Sequence, residues 1–166
     1  MSKKIIQCTL DKQDIDRAIK ELKAYKQEFL KKEKQLLEGL ANLGVREASV
    51  RFTTAMYDGT NDVSVSLETT KNGYVIVAKG QAVAFIEFGA GVYHNTGEPY
   101  PNPRPEGIVG IGEYGKGKGK QKAWGYKNEN DELVVTRGNP AAMPMWYASE
   151  EMKNSVLRLA REVFGT

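Results

Sequence analysis

Along residues 11–43 the apolar side chains Ile15, Ile19, Leu22, Tyr25, Phe29, Leu36, Leu40 and Leu43 recur at steps of three and four, interrupted by a polar turn at Lys32 and Glu33. That period predicts an amphipathic helix. Asp11 suits the N-cap, Asp14 and Asp16 lie in the positive first turns, and Leu10 and Ile15 occupy the two positions of a hydrophobic staple. Gly44 follows the last apolar step and, with Val45 folding back on Leu40, predicts a Schellman-type stop. Such a helix reaches roughly 50 Å, longer than a compact domain needs, so part of it is expected to pack on a neighbouring subunit.

Beyond the helix the period changes to two. Val63, Val65 and Leu67 alternate with Ser64, Ser66 and Glu68, which predicts a strand over 63–69 with one buried face. Asn72-Gly73 and the apolar run Tyr74 to Ala78 complete a hairpin, for which a type I′ turn is expected. A second hairpin is expected around Asn128 to Asp131, with arms over 122–127 and 133–136. Met145, Met152, Val156, Leu159, Ala160 and Val163 fall at helical spacing, with Ser149, Glu150 and Glu151 near the start, Arg158 and Arg161 near the end, and Gly165 beyond. The predicted class is α+β in one domain over 1–166: a long N-terminal helix, an antiparallel sheet with hairpins, a long projecting loop and a C-terminal helix.

The loop lies between two apolar phrases, Ala82-Val83-Ala84-Phe85-Ile86-Glu87-Phe88-Gly89 and Ala142-Met143-Pro144-Met145-Trp146-Tyr147-Ala148. Residues 89–125 hold 10 of the 17 glycines and 4 of the 6 prolines, a composition that resists a long helix or a central strand. A stretch of that length is expected to bind something or to order only on contact.

Composition narrows the chemistry. With 40% hydrophobic and 27% charged residues the chain reads as globular, and its apolar runs are too short to span a bilayer. Residues 1–8 hold two lysines without a sustained apolar core, so no secretion signal is expected. Cys8 is the only cysteine and His94 the only histidine, which excludes a disulfide within the chain and metal sites built from several of either residue. No Gly-x-Ser-x-Gly elbow is present. Gly110-Ile111-Gly112-Glu113-Tyr114-Gly115 matches a dinucleotide fingerprint in spacing, but more glycine and lysine follow where a helix is required. Glu87, between Ile86 and Phe88, is the one carboxylate whose apolar neighbours could raise its pKa toward a catalytic value; the simpler reading is a carboxylate on the polar side of a strand or turn, or one that caps backbone amides. No catalytic residue, cofactor or metal is therefore expected.

A net charge of +3 is small, and residues 11–44 balance 8 basic against 7 acidic side chains. The sharpest charge feature is Lys116, Lys118, Lys120 and Lys122 on alternate positions, close to Tyr114, Trp124 and Tyr126. Such a strip suits weak phosphate contact, or simply keeps a loop soluble.

The two phrases, the long leading helix and the closing helix together resemble the small head–tail joining or tail-completion proteins of long-tailed bacteriophages and prophages, also labelled neck or minor capsid proteins. In that family strands end in a phrase like Ala84-Phe85-Ile86-Glu87-Phe88-Gly89, a variable loop follows, and an Ala-x-Pro-aromatic phrase leads into the last helix, as in Ala142-Met143-Pro144-Met145-Trp146. The resemblance implies a non-enzymatic virion component, made in the host cytoplasm, that forms a homo-oligomeric ring between connector or portal-side proteins and the tail tube. It makes Phe85, Phe88, Met143, Met145 and Trp146 candidate subunit contacts. Arg104, Lys116, Lys118, Lys120, Lys122 and Trp124 are the candidate contacts to a partner loop or to DNA passing through the ring. The alternative reading is a nucleic-acid-binding accessory protein that uses the lysine strip with Trp124 and Tyr126.

Overall fold

A computed structural model describes residues 5–91, 122–128 and 130–165. Helix α1 spans Lys12–Thr54, strands β1 Ser64–Thr70 and β2 Gly73–Lys79 form one antiparallel hairpin, and a short helix α2 covers Val83–Phe88. Strands β3 Trp124–Lys127 and β4 Leu133–Thr136 form a second antiparallel hairpin, and helix α3 runs over Pro144–Phe164. The class is α+β as expected, with two separate two-stranded sheets.

Asp11 caps α1, its carboxylate accepting the Gln13 amide at 3.0 Å. Asp14 in the first turn accepts the Thr9 hydroxyl at 2.6 Å, and that bond holds its carboxyl below the usual range. The staple is not formed, because Leu10 is 99% exposed.

The expected stop at Gly44 is overturned: the helix continues for ten more residues and ends at Thr54. Gly44 is buried in mid-helix, where a Cβ would meet the Met152 sulfur at 2.5 Å and the Ile76 δ-carbon. Its missing side chain lets β2 and α3 approach the helix axis, and that packing outweighs the roughly 1 kcal/mol that glycine costs inside a helix. At 1.5 Å per residue, the 43 residues extend about 65 Å.

Helix α3 starts with Pro144 in the first turn and ends at Gly165, left-handed at φ 70°, whose amide donates to the Arg161 carbonyl at 2.8 Å. It runs back along α1: Ala148 shares a buried cluster with Ala48 and Phe52, Met152 meets Gly44, and Phe164 lies on Phe29 with ring centroids 5.7 Å apart. The pairing ends there. Upstream of Phe29, residues 12–28 of α1 extend a further ~25 Å with no buried position among them. Ala82 and Ile86 of the first phrase complete the core cluster.

The first hairpin forms where expected but on a different turn. Thr70 pairs with Gly73, so Lys71 and Asn72 are the central residues, and only Gly73, at φ 144°, has a positive φ. A type I′ turn needs positive φ at both central residues, and neither has it. In the second hairpin the Asn128 side chain accepts the amides of Asn130 and Glu132 at 3.0 and 2.9 Å.

Candidate functional site

The two apolar phrases lie 55 to 60 residues apart in sequence and meet in one hydrogen-bonded junction. Its foundation is Asp62. One carboxylate oxygen accepts the Gln81 amide at 2.7 Å and the other the Ala82 amide at 2.9 Å, and these bonds hold the Asp62 carboxyl below its ordinary value. Just beyond these anchored amides, Val83–Phe88 forms a helix and not the strand end that the resemblance implied.

The last turn of α2 meets the lead-in to α3. The Ala142 amide donates to the Ile86 carbonyl at 2.9 Å and the Met143 amide to the Glu87 carbonyl at 3.3 Å. The Glu87 carboxylate, 4% exposed, accepts the Met145 amide at 2.8 Å on one oxygen and the Trp146 amide at 3.1 Å on the other. It thus caps the amino end of α3, where a negative charge also meets the positive end of the helix dipole. Of the readings open for Glu87, capping backbone amides is the role observed, and the side chain is buried, not on a polar face. Met143, the residue before α3, is left-handed at φ 52°.

A second seam locks the same junction. Ala90 and Asn139 exchange both backbone hydrogen bonds, at 2.9 and 3.1 Å. The Asn139 side chain donates to the Phe85 carbonyl at 2.8 Å. Gly138, at φ 79°, crosses so close to Ala90 that a Cβ would fall on the Ala90 carbonyl oxygen. Gly91 and Gly138 both lie against the Trp124 indole, so the described chain on either side of residues 92–121 meets at one place.

The candidate subunit contacts divide by exposure. Phe85 is 40% exposed, whereas Phe88 is 7% exposed and lies inside this chain's own fold. Met143, Met145 and Trp146 are half-buried: Met145 packs on the core cluster, and the Lys153 ammonium lies 5.5 Å from the Trp146 ring centre. The Arg51 guanidinium lies 4.5 Å from the centre of the Tyr147 ring, which is 41% exposed. Trp124, expected as a loop or DNA contact, is half-buried as packing for Gly91 and Gly138. Lys122 is exposed. Arg104, Lys116, Lys118 and Lys120, together with His94, Tyr114 and the 110–115 glycine motif, lie outside the described residues.

Two hollows border the junction. A cleft of about 460 Å³ is lined by Tyr57, Asp58, Phe85, Trp124, Tyr126 and Asn139, and within it the Thr136 hydroxyl donates to Asp58 at 2.9 Å. Burial pushes the Tyr57 phenol above its ordinary value. A groove of about 370 Å³ between α1, β2 and α3 is lined by Leu37, Leu40, Tyr74, Ile76, Met145 and Met152. Among the described residues no group of three or more His, Cys, Asp or Glu side chains is placed to hold a metal ion, and no helix is long and apolar enough to cross a membrane.

Sequence reasoning passed over Asp62 and Asn139. Each is a short polar side chain beside a turn, a pattern too common to signal a contact 20 or 50 residues away. Comparison with protein family models, with curated proteins and with solved structures returns no match.

Proposed function

We propose that this chain is a structural subunit of a long-tailed phage or prophage particle, a head–tail joining or tail-completion adaptor that acts as a homo-oligomeric ring between connector and tail tube. One observation carries the reading. The two phrases on which the family resemblance rests form a single anchor, closed by Glu87, at the point where residues 92–121 leave and rejoin the described chain. An adaptor needs such a base: a fixed core from which a variable segment meets successive neighbours. Phe85 and Tyr147, at 40% and 41% exposure, are the apolar surface beside the anchor that a neighbouring subunit would cover. The role is a binding one, and Glu87 serves it as a cap, with both oxygens accepting amides.

Disrupting the coding sequence in its phage or prophage is expected to leave filled heads and finished tails unjoined in electron micrographs, and complementation is expected to restore whole particles. A variant with residues 92–121 replaced by a short Gly-Ser linker is expected to fold and to fail in that complementation. Normal infectious particles from the disrupted strain, or absence of the chain from purified particles by mass spectrometry, would overturn the proposal.

A further inference from the structure

The cleft of about 460 Å³ beside the junction falls within the ~300–1,000 Å³ of ligand sites. Tyr57, Phe85, Trp124 and Tyr126 give it aromatic walls, the last two from alternate positions on one face of β3. Asp58 stands among them and is held in place: one of its oxygens accepts the Thr136 hydroxyl at 2.9 Å, and that hydroxyl accepts the Gly138 amide at 2.9 Å. The other Asp58 oxygen, the Tyr57 and Tyr126 hydroxyls and the Trp124 indole N–H have no hydrogen-bond partner among the described residues. We infer that this cleft binds the guanidinium end of an arginine side chain presented by another polypeptide, with the aromatic rings as its walls and Asp58 as its counter-ion.

Charge selects a cation. Asp58 and Asp62 both line the cleft, and the one cation beside them, Lys127, is already paired with Asp131 at 2.6 Å. The Tyr57 phenol is raised above its ordinary value by burial first, and then by Tyr126 and Asp62; the second contribution is a field that disfavours negative charge and draws positive charge. Ring faces of Trp and Tyr attract a cation in the same sense. An anion would meet two carboxylates, and a neutral apolar group would cover Asp58 without pairing it.

Shape selects arginine and a polypeptide to carry it. A planar guanidinium stacks on aromatic rings while its N–H groups stay in the plane to reach the Asp58 carboxylate and the tyrosine oxygens, whereas a lysine ammonium is a more strongly hydrated point charge. Phe85 lines the cleft and is still 40% exposed, so the site is half open. A free small ligand needs most of its surface enclosed, but a side chain leaves its backbone outside, where flanking residues cover the exposed Phe85 ring. The inference goes beyond the adaptor role and does not rest on it, because the site is defined by this chain's own residues whatever assembly the chain serves.

The test uses the full chain, isotopically labelled for nuclear magnetic resonance. Its two tryptophans give two indole N–H signals, Trp124 lining the cleft and Trp146 outside it, assigned with Trp146→Phe. A capped Gly-Leu-Arg-Leu-Gly peptide titrated to about 5 mM is expected to shift the Trp124 signal and leave that of Trp146 in place. The same peptide with citrulline, the neutral isostere of arginine, is expected to bind at least ~10-fold more weakly, and so is free arginine. Asp58→Asn keeps an acceptor for the Thr136 hydroxyl and is expected to weaken the arginine peptide at least ~5-fold. Tyr126→Leu removes one wall and is expected to cost about 3-fold. Circular dichroism checks that each variant folds; should Asp58→Asn not fold, Tyr126→Leu decides. No shift at Trp124, equal binding of the citrulline peptide, or an affinity that the folded variants leave unchanged would overturn the inference, and free arginine binding as tightly as the peptide would overturn its assignment to a polypeptide.

Discussion

Removing the Glu87 carboxylate is expected to loosen the carboxyl-terminal helix from the rest of the fold, and the size of the effect follows from the geometry. The side chain is 4% exposed and receives two backbone amides, at 2.8 and 3.1 Å. A hydrogen bond to a charged group contributes about 1.5–3 kcal/mol net, and an anion at a helix amino end adds about 0.3–1 kcal/mol. Glu87→Ala leaves both amides to whatever water enters the space, and that water recovers part of the sum, so its low end, about 3–4 kcal/mol of stability, is expected to be lost. For a chain of this size that corresponds to a fall of roughly 10 °C in Tm. Glu87→Gln keeps one acceptor oxygen but turns an NH₂ group toward the second amide, and about half the loss is expected. Urea and thermal unfolding followed by circular dichroism at 222 nm measure both variants. An Ala variant within ~0.5 kcal/mol of the parent would refute the assignment of Glu87 as the cap that holds α3.

Four further substitutions separate packing from propensity and charge. Gly39 has nothing within 4 Å of a built Cβ, so Gly39→Ala is expected to stabilise by about 1 kcal/mol, whereas Gly44→Val is expected to destabilise by about 1–3 kcal/mol against Met152 and Ile76; urea midpoints decide both. Gly138→Ala combines a positive φ with a Cβ on the Ala90 carbonyl, and a loss of at least ~2 kcal/mol is expected, read as a lower thermal midpoint. The Asp62 carboxyl is held below its ordinary 3.8 by the Ala82 and Gln81 amides. A depressed folded value means that its contribution is complete above the unfolded value and is lost as pH falls through the folded one. Stability is therefore expected to drop below about pH 4, and Asp62→Asn is expected to flatten that part of the profile in acid titration followed by circular dichroism.

Local signals were readable wherever the partner of a residue was its near neighbour. Asp11 caps α1 through the Gln13 amide two residues on, and Gly165 closes α3 through Arg161 four residues back. Both ends could be read from the sequence. Gly44 could not, because a glycine after a periodic run looks the same whether it ends a helix or admits a close neighbour, and here the neighbours are Ile76 and Met152. The first phrase illustrates the same limit: Asp62, about twenty residues away, accepts the Gln81 and Ala82 amides that lead into its helix. For Glu87 the sequence offered an apolar setting and the idea of a cap; which amides it would receive depended on bringing residues 145 and 146 to its side. The lysine strip was legible as composition alone.

The antiparallel partnership of α1 and α3 also sets the order in which this protein can fold. During synthesis α1 emerges with its apolar stripe bare, and the helix that covers half of it follows only after roughly a hundred further residues, a loop whose closure is slow. Until then Ala48, Gly44 and Phe29 lack the cover that Ala148, Met152 and Phe164 provide. The nascent chain therefore passes through a stage in which a long sticky helix precedes its own shield, and a holdase that recognises apolar helices has its longest opportunity then.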